Sequence, residues 1–186
     1  MSESRVSGAL GAYVERFLTA CEAENGHLPE AEHDPEWPSP CQQGAPDFHG
    51  FVRWRPVAQT EALDWSGLET ALEAEVHPDL KAYFGHFWSG NVPARHREGG
   101  LLLIQLWNRD DFDRLVENEL GHVLAQRRAR LPLTLFFACT DDPELLLSID
   151  NRSGAVLLER PGRPPLREVA PSLALFLEEL APETAV

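Results

Sequence analysis

The side chains that most often carry enzyme chemistry are few in this sequence and do not form a recognisable constellation. Phosphate-binding glycine loops, the HExxH and GxSxG signatures and the EF-hand loop are all missing. The histidines His77, His86, His96 and His122 lack metal-ligand spacing, and Cys21, Cys41 and Cys139 are not in a CxxC arrangement. We therefore expect no enzymatic activity, no cofactor and no bound metal, and we expect free thiols, with Cys41 packed as a small buried side chain.

Acidic residues are the chemical feature that this sequence does supply. There are 30 Asp and Glu against 16 Lys and Arg, which gives a formal net charge of −14. Such a charge repels nucleic acid and anionic lipid and favours a basic partner, although it could serve solubility alone. Two clusters are the candidate partner-binding surface: Glu69, Glu73 and Asp79, and then Asp110, Asp113 and Glu117.

Each cluster also has a purely structural interpretation. Asp113 and Glu117 lie four residues apart on a predicted helix and repel each other by a few tenths of a kcal/mol, so we hypothesise that they serve a basic ligand. Asp110 and Asp113 could instead only stabilise the start of that helix. The run from residue 69 to residue 79 could be a solvated helix face. The sequence leaves both alternatives open.

The elements that position these acids are predicted around a central segment, residues 101–138. Apolar runs at 101–107 and 133–138 predict two strands, and the pattern between them predicts a helix that ends near Arg130. Asn108 is a suitable N-cap with Asp111 at N3, and Trp107 and Phe112 fit a hydrophobic staple. The predicted apolar stripe of the helix is Phe112, Leu115, Val116, Leu120, Val123 and Leu124. Glu119 falls inside it, and we expect this carboxylate at the edge of the packed face because burial would be costly.

Shorter patterns predict the remaining elements. Helical spacing occurs at 6–21 and again at 68–83, where Pro78 interrupts it. Strands are expected at 51–56, at 166–169, and in a hairpin formed by 145–150 and 155–160. An acidic, turn-rich loop is expected at 22–37, Arg95, His96 and Arg97 are expected in another loop, and Ser172 is a plausible cap for a last helix.

These elements carry the residues of a family resemblance. The segment resembles the central block of the Syd family at Trp107, Asp110, Asp111, Phe112, Arg114, Glu117, Asn118, Gly121, His122, Gln126, Arg128, Leu131, Pro132, Thr134, Leu135 and Phe136. The N-terminal signature of the family is matched by Pro38, Ser39, Pro40 and Cys41, together with Trp54 and Pro56. The resemblance spans nearly the whole chain. It implies one domain, residues 1–186, with an N-terminal helix and acidic loop (1–37) followed by a sheet with helices (38–186). The order of elements is similar to that of the SUKH (Smi1/Knr4-like) superfamily, and it predicts an α+β fold in which helices pack against a mostly antiparallel sheet.

The resemblance also implies a function. Syd proteins interact with SecY, the channel of bacterial protein export, so the chain is expected to be a non-enzymatic protein that monitors or regulates that channel. Cytoplasmic loops of inner-membrane proteins are rich in Lys and Arg, and an acidic protein can be steered to them. We expect a cytoplasmic protein held loosely at the inner membrane through SecY, with no nucleic-acid partner, no lipid insertion and no small-molecule substrate. The alternative is a SUKH-type immunity protein that neutralises a toxin.

Overall fold

The computed structural model describes residues 4–184, and this range contains five helices and twelve strands. The helices are α1 (Arg5–Asn25), α2 (Ser66–Leu72), α3 (Pro78–Phe84), α4 (Arg109–Ala129) and α5 (Leu173–Glu178). The strands are β1 (Glu30–Glu32), β2 (Gln42–Gln43), β3 (Phe51–Trp54), β4 (Val57–Ala58), β5 (Phe87–Trp88), β6 (Val92–His96), β7 (Gly99–Leu103), β8 (Thr134–Thr140), β9 (Leu146–Asp150), β10 (Val156–Glu159), β11 (Arg167–Ala170) and β12 (Ala181–Pro182).

A curled antiparallel sheet of seven strands is the framework of the domain. Its strand order is β11-β10-β9-β8-β7-β6-β12, so most neighbours in the sheet are also neighbours in sequence. A second sheet has the order β1-β3-β2, and β4 pairs with β5. Helix α4 contacts β8, and α1 packs against α3 and α5. The predicted α+β class, the antiparallel sheet and the hairpin of residues 145–160 are confirmed.

The predicted loop at residues 95–97 is wrong for two of its three residues. Arg95 and His96 belong to β6, which alternates between buried and exposed positions. His96 points inward, where its Nε2 lies 3.2 Å from a carboxylate oxygen of Glu179 and its ring packs on Phe176. The sequence did not indicate β6 because Arg95 and His96 place polar side chains on both faces of the strand at its C-terminal end. The strand predicted at 101–107 also ends early, at Leu103.

Helix α4 begins and ends where its sequence predicts. The Asn108 side chain accepts a hydrogen bond from the Asp111 N–H at 3.0 Å, which satisfies one of the free donors of the first turn. The helix ends at Arg130, which takes the left-handed conformation with φ 57°. Leu131 and Pro132 then lead into β8.

The buried face of α4 is rotated from the one that we predicted. Leu124 is 42% exposed, whereas Glu119 is fully buried and its side chain accepts from the Phe136 N–H at 3.3 Å. The expectation that Glu119 lies at the edge of the packed face is therefore wrong. Burial raises the pKa of Glu119 well above its ordinary value, because a charged carboxylate is poorly solvated in the core. Residues His122 and Gln126 also lie on this face, and their side chains bond to Thr134 in β8.

Candidate functional site

The predicted acids of α4 lie on its outer surface. Asp110, Asp113 and Glu117 are all exposed. Within residues 4–184 none of these three carboxylates takes part in an ion pair, although the neighbouring Asp111 and Arg114 approach each other to 3.9 Å. Asp113 and Glu117 are one helical turn apart, so their negative charges repel each other. These three carboxylates are therefore available to a basic ligand.

The acids of the second cluster are placed differently from one another. Glu69 is half-buried at the junction of α2 and α3, where it contacts the Lys81 ammonium at 2.5 Å and accepts from the Val76 N–H at 2.9 Å. The hydrogen bond from Lys81 holds the pKa of Glu69 below its ordinary value. Glu73 is exposed in the left-handed turn after α2, and Asp79 is half-buried in the first turn of α3. Glu69 thus holds two helices together, and only Glu73 is fully open to a partner.

The two clusters lie on neighbouring helices but do not meet in one cleft. Helix α2 packs beside α4, since the Trp65 and Phe112 rings are 4.9 Å apart and Arg127 donates to the carbonyls of Ala71 and Leu72. The Glu69 side chain, however, turns toward α3. The α4 acids face solvent instead of this helix junction.

A depression of about 250 Å³ at the start of α4 combines acids with aromatic rings. Its walls are Glu32, Asp34, Trp37, Trp107 and Asp111, and we call it the acidic groove; its floor includes Ser89, Gly90, Asn91 and Gln105. None of the six predicted site acids lines it. Glu32 and Asp34 are exposed, and neither is in an ion pair within the described part of the chain.

Asp111 connects the wall of the acidic groove to the start of α4. One carboxylate oxygen accepts from the Trp107 N–H at 3.0 Å, and the other accepts from the Trp37 indole N–H at 3.2 Å. The Trp107 indole N–H donates in turn to the Trp37 carbonyl at 3.2 Å. Arg114 lies over the Trp37 ring, 3.6 Å from its centroid. The two tryptophans are therefore fixed before any ligand arrives.

The segment Pro38-Ser39-Pro40-Cys41 fixes the same wall from the other side. The Ser39 hydroxyl donates to the Trp107 carbonyl at 2.5 Å, and the Asn108 amide donates to the Pro38 carbonyl at 2.9 Å. Cys41 is fully buried, as expected, and burial raises the pKa of its thiol, which disfavours a nucleophilic role. The two sequence blocks that carry the family resemblance are thus in direct contact around the acidic groove.

The floor of the acidic groove is held by backbone contacts. The Ser89 N–H donates to the Leu106 carbonyl at 2.8 Å, and the Asn91 side chain accepts from the Gln105 N–H at 2.8 Å. A Cβ at Gly90 would lie 2.8 Å from the Trp54 ring, so only glycine fits there without a shift of that ring. These contacts fix the floor before any ligand binds.

Sequence reasoning missed the acidic groove because its lining comes from three segments that are far apart in the chain, 31–37, 89–91 and 105–111. Asp111 was identified only as a helix cap, and Glu32, Asp34 and Trp37 were assigned to a loop. The one local signal was the pair of tryptophans, Trp37 and Trp107, each beside acids. Residues 4–184 hold no group of three or more His, Cys, Asp or Glu side chains placed to bind a metal. In the same range no helix is both long and apolar enough to cross a bilayer.

Fold and groove together define the class of protein. It is an α+β protein on a curled antiparallel sheet, with a preformed acidic groove that contains two tryptophans.

The family described as "Syd protein (SUKH-2)" matches residues 7–182. The chain is 39% identical over 183 residues to Protein Syd of Pseudoalteromonas atlantica, covering 97% of this chain and 98% of that one. It is 41% identical over 170 residues to Protein Syd of Colwellia psychrerythraea (87% and 84% coverage), and 38% identical over 182 residues to that of Pectobacterium atrosepticum (97% and 98%). The chain therefore belongs to the Syd family.

Proposed function

We propose that the protein is a non-enzymatic regulator of protein export, which binds a basic cytoplasmic loop of SecY in the acidic groove. The observation that carries this proposal is the groove itself: two exposed carboxylates, Glu32 and Asp34, stand beside two preformed tryptophan rings. Carboxylates attract Lys and Arg, and the faces of Trp rings hold cations and the apolar stems of those side chains. In this proposal the protein works in the cytoplasm and reaches the inner membrane only through SecY.

Membership of the Syd family supports SecY as the partner, and the net charge of −14 supports a basic loop as the part that is bound. The preformed walls support a binding role, because rigid sites lose less conformational entropy when a ligand binds. In this proposal the six predicted acids act as a steering field for the basic partner. They raise the rate of encounter without lining the site.

The test is the binding kinetics of the purified SecY-containing channel at low and at physiological salt. We expect association that slows with salt, and no comparable binding to an unrelated membrane protein with basic loops. The double variant Glu32→Lys with Asp34→Lys should reduce the association rate by about tenfold or more. The matched control is Glu15→Lys with Glu168→Lys, which changes the net charge equally at exposed sites on α1 and β11. Equal effects of the two double variants would show that only net charge matters, and no SecY binding at low salt would remove the proposal.

A second function, neutralisation of a toxin, is supported by the term SUKH-2 in the description of the family. The same acidic groove would suit a basic toxin domain. This function would be favoured if the protein binds no SecY but protects a bacterial test strain against a toxin.

A further inference from the structure

One large apolar side chain lies almost entirely in solvent. Phe48 is 91% exposed, and Phe51, three residues later, is 45% exposed. Residues 47–51 follow β2 and end at the first residue of β3 in the three-stranded sheet, and we call them the Phe48 loop. Scattered exposed apolar residues are common and need no explanation, but an aromatic ring with so little cover is unusual when its loop is rigid.

The Phe48 loop is held by its own hydrogen bonds. One oxygen of the Asp47 carboxylate accepts from the N–H groups of His49 and Phe51, both at 2.9 Å. The Asp47 N–H donates to the Phe51 carbonyl at 2.8 Å, and Gly50 takes the left-handed conformation with φ 86°. The His49 ring lies against the Phe48 ring, with 3.8 Å between their centroids. These bonds hold the backbone that carries Phe48, and a loop whose backbone is already ordered loses less entropy on binding.

The Phe48 loop is joined to the wall of the acidic groove. Glu32, which lines the groove, is the strand partner of Phe51 in the pairing of β1 with β3. At the next position the His33 N–H donates to the Gly50 carbonyl at 2.8 Å. Opposite residues of an antiparallel pair have Cα atoms only about 5 Å apart. A polypeptide that fills the groove beside Glu32 must therefore pass close to the Phe48 loop.

We propose that Phe48 is an aromatic anchor that inserts into an apolar recess of the same partner protein whose basic segment fills the acidic groove. This inference rests on the proposed function and adds a second chemistry to the binding surface. The partner segment would carry Lys or Arg for the groove and present apolar side chains a few residues away. A protein partner fits better than a lipid surface, because Asp47 and Glu32 flank the aromatic rings and would be repelled by anionic headgroups. Aromatic residues beside polar contacts are the usual anchors of protein interfaces.

The experiment compares Phe48→Ala with the wild-type chain on the purified channel reconstituted in lipid nanodiscs. Loss of an anchor should act after encounter, so we expect the dissociation rate to rise about tenfold while the association rate and its salt dependence stay unchanged. Phe48→Trp should retain slow dissociation. The control is Leu166→Ala, which removes another exposed apolar side chain, directly before the edge strand β11 of the seven-stranded sheet. This variant should dissociate from the channel at the wild-type rate. Melting curves should be unchanged for all three variants because the side chains are exposed.

The possible results separate this inference from the function beneath it. If Phe48→Ala dissociates like the wild type while Glu32→Lys with Asp34→Lys associates slowly, the anchor is overturned and the proposed function stands. If the wild-type chain does not bind the channel at all, the proposed function fails first and the anchor fails with it. If the wild type binds protein-free zwitterionic vesicles and Phe48→Ala does not, Phe48 contacts lipid and the protein anchor is overturned. Faster dissociation of Phe48→Ala from the channel alone supports it.

Discussion

Asp111 shows how one side chain can serve both stability and the site. Its carboxylate accepts from the Trp107 backbone and from the Trp37 indole, and its own N–H is capped by Asn108. The sequence predicted only a capping role for Asp111, because a helix cap joins residues that are three positions apart and is therefore visible in the local sequence. The contact with Trp37 crosses 74 residues of chain and cannot be read from spacing.

Replacing Asp111 by alanine should destabilise the protein by about 1–3 kcal/mol. The change leaves the Trp107 N–H and the Trp37 indole N–H without their acceptor, and an unsatisfied donor costs roughly that amount. Urea denaturation measures the effect. Asp110→Ala is the matched control, since this neighbour is exposed and should lose less than about 1 kcal/mol of helix-dipole interaction. Equal losses in the two variants would mean that the tryptophan contacts contribute nothing to stability.

Glu119 is a carboxyl group whose pKa is raised by its burial in the core. It is fully buried on α4, and the nearby carboxylate of Glu159 acts in the same direction as burial on its pKa. One of its oxygens has no hydrogen-bond partner among the described residues. The sequence could not reveal this position, because burial of Glu119 depends on which strands lie beneath the helix.

The stability of the protein should therefore fall as pH rises above the ordinary pKa of Glu119, and Glu119→Gln should remove that dependence. Above this pKa the unfolded chain releases a proton that the folded chain retains, so rising pH favours unfolding. The glutamine variant has no such proton. We expect its stability relative to the wild type to increase from about pH 5 to about pH 8, as measured by urea denaturation at several pH values. Glu117→Gln, on the exposed face of the same helix, controls for the loss of a carboxylate. A constant difference between Glu119→Gln and the wild type across this range would contradict a neutral Glu119.

At the scale of elements, local sequence signals were enough to predict α4, but they were not enough to predict the arrangement of the strands around it. Its N-cap and its ends follow from the types of residues 108–132, and the hairpin of β9 and β10 follows from its turn. The order of the seven strands and the pairing of β1 with β3 depend on contacts between distant segments. The acidic groove arises where those segments meet, and none of the six predicted acids lines it, so their contact with a partner stays a prediction.

The α4 acids give a prediction that separates steering from direct contact. Changing Asp113 and Glu117 to Lys should slow association with SecY and flatten its salt dependence, because charge acts mainly on the rate of encounter. The dissociation rate should stay near the wild-type value, since these residues do not line the groove. The fold should change by less than about 0.5 kcal/mol in stability, as is usual for surface positions. Binding kinetics at two salt concentrations, beside a melting curve, measure all three quantities.

Comparing the α4 variant with the groove variant, Glu32→Lys with Asp34→Lys, then shows which surface contacts the partner. If the α4 variant raises the dissociation rate and the groove variant does not, the contact surface lies on the outer face of α4. Wild-type kinetics in a folded α4 variant would remove this helix from the encounter as well, and would leave Glu69, Glu73 and Asp79 as the remaining predicted acids. Because both variants change the net charge equally, a difference between them reports position alone.

For the whole molecule, the net charge of −14 favours basic partners and disfavours anionic surfaces. Anionic lipid surfaces attract basic segments by about 1 kcal/mol for each Lys or Arg near the surface, and they repel acidic ones by the same rule. The described helices also offer no span for the bilayer. In the proposed function, attachment to a membrane comes through a protein in that membrane, and the negative charge of the chain favours the basic loops of such proteins.

The protein should accordingly fractionate as soluble when SecY is scarce and sediment with membranes when SecY is abundant. Cells with ordinary and raised levels of the channel provide the comparison, and protein-free anionic liposomes provide the lipid control. We expect no binding to the liposomes at physiological salt, because repulsion between like charges has no compensating contact there. The variant Glu32→Lys with Asp34→Lys should stay soluble even when SecY is abundant, whereas Glu15→Lys with Glu168→Lys should follow the membranes, although both variants carry the same net charge. Binding of the wild-type chain to liposomes as strongly as to SecY-rich membranes would contradict a protein receptor, since the lipid alone would then account for the membrane fraction.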